Sequence, residues 1–176
     1  AGASHGDAEL DLAASNFSTT TDSIQELDSI GVLIVIFISE CEVGAIALAA
    51  GDWDGDGDLD LAVANFSTNN VTILENNLPG VFSAVDTISG QLGANALAAG
   101  DWDGDGDLDL AVANFSTNKV SILENDPPGV FKAVDTISGQ DGASALAVGD
   151  WDGDGDLDLA VANRSANNVS ILENEP

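Results

Sequence analysis

Basic residues are almost missing from this chain. Lys119, Lys132 and Arg164 stand against 31 acidic residues, for a formal net charge of −28 over 176 residues. Nucleic acid is excluded as a natural partner, because phosphate binding draws on Lys and Arg. The balance favours cations or a salty exterior. Tyrosine is absent, and His5 and Cys41 are each the single residue of their type. That leaves no Ser-His-Asp or Cys-His set for nucleophilic catalysis, and the reading is that the protein is not an enzyme. A single cysteine cannot close an internal disulfide. Beside an apolar run, Cys41 reads as a small buried hydrophobe.

Long apolar runs are missing as well. The longest, residues 30–38, has nine residues, well short of the ~18 or more that span a bilayer. Methionine is absent and the chain begins Ala1-Gly2-Ala3, which points to a processed form or a fragment, with removal of a secretory leader as the simplest processing. The expected location is extracellular or cell-surface.

What is present is a repeat. "GDWDGDGDLDLAVAN" begins at Gly51, Gly100 and Gly149, 49 residues apart each time. "GDAELDLAASNFS" from Gly6 falls in the same phase, so there are about four copies, the first degenerate. The divisions are residues 1–44, 45–93, 94–142 and an incomplete 143–176. In each full copy "ALAAGD" or its equivalent leads into the acidic loop and "DLAVAN" leaves it. A turn-forming "STN" or "SAN" stretch, a β-branched segment and a final alternating segment follow. In the first full copy Leu59, Leu61 and Val63 fall on one face and Asp60, Ala62 and Ala64 on the other. Alternation with regular turn signals predicts an all-β array of four-stranded repeats. The small alanine face predicts close stacking of one sheet on the next.

The loops carry the chemistry. In "DWDGDGDLD", carboxylates at positions 1, 3, 5 and 9 converge on one cation if the loop turns sharply, and Gly55 and Gly57 permit that turn. Oxygen-only ligands in a flexible loop suit Ca²⁺, whereas Mg²⁺ asks for a stricter octahedron. Zinc and copper are disfavoured, since the three intact loops hold no His or Cys. An EF-hand is excluded, because its twelfth position holds a Glu and here it is Val63, within a predicted strand.

The repeat resembles the FG-GAP (VCBS) family, known from integrin alpha-chain propellers and many secreted bacterial proteins. That resemblance implies a four-stranded propeller blade per copy. It also implies a Ca²⁺ site in each loop, built from side chains at positions 1, 3, 5 and 9 and the backbone carbonyl at 7. The implied ligands are Asp52, Asp54, Asp56, Asp58 and Asp60, then Asp101, Asp103, Asp105, Asp107 and Asp109, then Asp150, Asp152, Asp154, Asp156 and Asp158. Copy 1 keeps only Asp7 and Asp11 at ligand positions, with His5 and Ala3 replacing two others, which argues against a full fourth site.

Closed propellers have about four to eight blades, and this chain is short of a fourth full period. The expected array is therefore open, with unpaired strand edges at both ends that act as templates for another chain. The segment 30–38 is in phase with residues 79–87 but apolar on both faces. Ile34, Phe37 and Ile38 replace Ser83, Asp86 and Thr87. A strand apolar on both faces is normally covered on both. Ile34, Ile36, Phe37 and Ile38 are thus a candidate assembly interface. Sequons at Asn16, Asn65, Asn70, Asn114, Asn163 and Asn168 are candidate glycosylation positions. Two functions follow. The first is a calcium-binding structural protein joining head to tail into a fibre or surface layer, with itself as partner. The alternative is an adhesion or sugar- or protein-binding propeller module with a glycan or protein ligand.

Overall fold

The structure, a computed structural model, describes residues 12–14, 22–27, 33–38, 44–78 and 81–174. Apart from one 3-10 turn at Phe115–Thr117, the regular structure among them is all β. Four antiparallel meanders follow one another along the chain. β1 (Leu12–Ala14), β2 (Asp22–Leu27) and β3 (Leu33–Ile38) form the first. β4 (Ala45–Gly51), β5 (Asp60–Asn65), β6 (Asn70–Leu78) and β7 (Val81–Ser89) form the second. The third is β8 (Ala94–Gly100), β9 (Asp109–Asn114), β10 (Lys119–Asn125) and β11 (Phe131–Ser138). β12 (Ala143–Gly149), β13 (Asp158–Asn163) and β14 (Asn168–Leu172) form the last, which has three strands. The sheets do not close on one another into a barrel: the array is open and propeller-like.

The 49-residue period extends to backbone detail. A register shift between Ala45 and Ala47 recurs between Ala94 and Ala96 and between Ala143 and Ala145. A second, between Ile73 and Leu74, recurs between Ile122 and Leu123. In the first sheet, β2 and β3 instead pair without a shift, from Asp22↔Ile38 to Leu27↔Leu33. The turns after β5, β9 and β13 place Asn69, Asn118 and Asn167 at φ of 60°, 58° and 55°. Asparagine is the residue that enters this left-handed region with least strain after glycine.

Sheets stack face to face, and the alanine face explains how. Ala62, Ala64, Val71 and Ile73 of the second sheet bury themselves against Leu110, Val112, Leu123 and Phe131 of the third. The third then presents Ala98, Ala111, Ala113 and Val120 to Leu159 and Val161 of the fourth. Each interface joins the alanine face of one sheet to the Leu/Val face of the next. As a result β5 and β9 are buried along their whole length on both faces. The first strands β4, β8 and β12 lie side by side, and the Asn95 amide donates to the Ser144 carbonyl at 3.0 Å across the last pair.

Candidate metal centres

Each acidic loop is the connection of a hairpin whose root is fixed by pairing. Gly51 pairs with Asp60, Gly100 with Asp109 and Gly149 with Asp158. The ninth-position aspartate is therefore the first residue of a buried strand. Asp60 is 1% exposed. Its Oδ2 accepts the Trp53 N–H at 2.9 Å and its Oδ1 the Asn76 N–H at 2.9 Å.

The rest of the loop wraps on its own carboxylates. Asp52 accepts N–H groups from Gly55 at 2.8 Å and Gly57 at 3.0 Å, one on each oxygen. Asp54 accepts from Asp56, and Asp56 from Asp58. Gly55 and Gly57 stand at φ of +80° and +96° with open space where a Cβ would go, so backbone conformation rather than crowding demands glycine there. The second and third loops repeat the network contact for contact.

This wrapping gathers carboxylates. One oxygen from each of Asp52, Asp54 and Asp60 lies within 4.8 Å of the others, as do those of Asp101, Asp103 and Asp109 and of Asp150, Asp152 and Asp158. Asp56, Asp105 and Asp154 are exposed and lie outside these triplets, as do Asp58, Asp107 and Asp156. Like charges this close repel one another, and each triplet contains three such pairs. Desolvation by burial pushes the Asp60 carboxyl up to about 6, against the Asn76 and Trp53 amides that pull it down, while Asp54 and Asp56 add to the rise. Asp109 is raised in the same way. Asp158 goes the other way: the Asn174 and Trp151 amides outweigh desolvation there. Each triplet offers oxygen donors only, each carboxylate oxygen keeps a lone pair beyond its amide contact, and three basic residues in the whole chain cannot neutralise fifteen loop aspartates. The groups can hold a metal ion, and their donor set is compatible with calcium.

The loops are also tied to the next sheet, through residues the sequence did not single out. The Trp53 carbonyl accepts the Asn125 side-chain amide at 2.9 Å and the Gly129 N–H at 2.7 Å. The fully buried Trp53 ring meets Phe131 edge to face, with centroids 5.6 Å apart. Asn174 likewise donates to the Trp102 carbonyl at 2.8 Å. The only signal was the recurrence of Asn76, Asn125 and Asn174 in the same phase.

The sequon asparagines differ in burial. Asn65, Asn114 and Asn163 are buried, and their amide nitrogens donate to side chains of the turn and third strand, including Thr72, Ser121 and Ser170 at 2.8–2.9 Å. Asn70 is buried as well, whereas Asn168 is exposed. Asp7, Asp11, Asn16 and Cys41 lie outside the described residues. Ile34, Ile36, Phe37 and Ile38 lie in β3, whose backbone pairing alone is described.

The profile of the FG-GAP-like repeat family matches residues 52–112 and, overlapping them, residues 101–161. Each match runs from one acidic loop, through the three strands that follow it, into the next repeat. A search of curated proteins gave no match.

Proposed function

From the premise that the chain belongs to the FG-GAP-like repeat family, we propose that it is a calcium-stabilised structural module that acts outside the cell. Its copies join head to tail into a fibre or surface layer. The division into repeats at residues 45–93, 94–142 and 143–176 belongs to this proposal. So does the assignment of positions 1, 3, 5, 7 and 9 of each loop as ligands. The observation that carries it is the triplet of converging carboxylates, built three times by one network. With oxygen-only donors, the ion is a hard cation, and a flexible eight-residue connection suits the variable coordination of Ca²⁺ better than the strict octahedron of Mg²⁺. Because the triplets repel themselves without an ion, binding free energy becomes folding free energy. The role is structural and not enzymatic. Among the sequons in the described residues, Asn168 is the exposed candidate for a glycan.

Titration calorimetry on chelator-treated protein tests this directly. Three Ca²⁺ equivalents are expected, with a melting temperature that falls on chelation and is restored by Ca²⁺ more fully than by Mg²⁺. Melting curves that overlay with and without chelator would remove the metal from the account. A micrograph of purified material separates fibres from the discrete particles expected of an adhesion or ligand-binding module.

A further inference from the structure

The contacts that tie one sheet to the next end on the acidic loops themselves. Asn125, buried at the end of β10, touches two of them. Its backbone N–H donates to Asp109 Oδ1 at 2.9 Å and its side-chain amide to the Leu108 carbonyl at 3.2 Å, both in the second loop. The same amide donates at 2.9 Å to the Trp53 carbonyl in the first loop. That carbonyl belongs to the peptide that joins Trp53 to Asp54, and the Trp53 N–H holds Asp60 Oδ2. Asn125 therefore stands between two carboxylate triplets, bound directly to Asp109 and, through Trp53, to Asp54 and Asp60. A second contact joins the same loops. The Leu108 side chain lies so close to Gly51 that a Cβ there would meet its Cδ1 at 3.1 Å. One sheet later the arrangement recurs. The Asn174 N–H donates to Asp158 Oδ1 at 3.0 Å and its amide to the Trp102 carbonyl at 2.8 Å, while Leu157 lies over Gly100.

We propose, on the reading of the triplets as Ca²⁺ sites, that Asn125 and Asn174 are positioning residues that couple neighbouring metal centres. A cation held by one loop strengthens binding at the next. The element with two arrangements is the loop, its carboxylates either gathered or splayed by their mutual repulsion. An ion in the second loop keeps Asp109 gathered. Asp109 then fixes the Asn125 N–H, and the Leu108 carbonyl beside it helps to aim the amide at Trp53. That bond favours the gathered form of the first loop, whose own ion needs Asp54 and Asp60 in place. Coupling of this kind is reciprocal and typically changes affinity about 5–150-fold. Charge alone acts in the opposite sense. One bound cation makes the field at the next loop less negative, an effect damped beyond about 8 Å at 0.15 M salt. Folding of the whole chain around its ions would couple every pair alike, whereas these bridges act pair by pair.

Ca²⁺ titration of the chelator-treated full chain, followed by NMR at the Gly57, Gly106 and Gly155 amides, reads the three loops separately. Each of these amides donates to the first aspartate of its own loop. Asp101→Ala silences the second loop, and the first is then expected to bind Ca²⁺ about fivefold more weakly or worse. In an Asn125→Ala background the same change should leave first-loop affinity nearly unaltered, while the third loop still responds. Asn174→Ala should give the mirror image, and it carries the test by itself if Asn125→Ala does not fold. First-loop binding that is equal or tighter in Asp101→Ala would overturn the proposal. So would a first-loop response undiminished by Asn125→Ala, or one that this change abolishes at the first and third loops together. Three loops that bind Ca²⁺ independently sink the coupling alone. Glycine signals that Ca²⁺ never moves would remove the calcium reading along with it.

Discussion

Asp60 carries a conflict that a bound cation would resolve. The residue must begin a buried strand, and its carboxylate must hold two amides while facing Asp52 and Asp54. Burial raises its pKa from the ordinary 3.8 to about 6, and Asp109 shifts in the same direction. A carboxyl whose folded value lies above its unfolded value destabilises the fold once charged. For the calcium-free protein, stability is therefore expected to rise as pH falls from 7 towards 4 through this window. The lowered Asp158 contributes stability that is present above the ordinary carboxylate value and is lost on acidification below it. With saturating Ca²⁺ the slope reverses, because protons then compete for the ligand oxygens. Melting temperatures at pH 7 and pH 5, with chelator and with Ca²⁺, check this, and slopes of the same sign in both series would refute it. Stoichiometry gives a second test at this scale. Asp52→Ala removes a converging oxygen together with the cap on Gly55 and Gly57, so calorimetry should count two equivalents where the unchanged chain gives three.

Strands and loops are stabilised by their neighbours in the array, which makes identical elements unequal. Trp53 is completely buried under the third sheet, whereas Trp151, in the same position of the last loop, is 52% exposed. Trp53→Ala should cost about 3–5 kcal/mol in urea unfolding and Trp151→Ala about 1 kcal/mol or less. Equal costs would show that the loops do not depend on the sheet that follows. This dependence also marks where sequence reading ran out. Alternation at Leu61, Ala62, Val63 and Ala64 made a strand legible, and the alanine face indicated stacking. That β5 is buried from Asp60 to Asn65 was not legible, because the second face is covered by residues from another repeat. The bond from Asn125 to the Trp53 carbonyl spans 72 residues and has no local signature. The burial of Asn65 was not legible for a related reason. A sequon specifies three residues in order, and here the same three begin a turn in which the asparagine amide reaches Thr72 across the hairpin. The gathering of positions 1, 3 and 9 could be anticipated because the loop geometry is local, whereas position 5, expected beside them, lies outside the triplets.

Association of whole molecules sets apolar surface against charge. A net charge of −28 opposes contact between copies, and three Ca²⁺ ions would reduce it only to −28 + 6 = −22. Salt at about 0.15 M limits that repulsion to a range of ~8 Å, so short-range burial can still prevail. The segment proposed to supply such burial is β3. β3 pairs with β2 as the outer strand of its sheet, and its sequence "LIVIFI" has no polar face. Burying one large apolar side chain contributes roughly 1.5–3 kcal/mol, so four of them, roughly 6–12 kcal/mol, are of the same order as the cost of association. Ile34→Ser combined with Ile36→Thr is therefore expected to weaken self-association. Ca²⁺ binding by Asp101, Asp103 and Asp109 and by Asp150, Asp152 and Asp158 should persist, because those loops are built within later sheets. Light scattering and calorimetry on one sample read both quantities. The unchanged chain should associate more strongly as salt is raised, which distinguishes apolar contact from charge pairing. If it stays monomeric at high concentration in saturating Ca²⁺ and salt, head-to-tail assembly is ruled out.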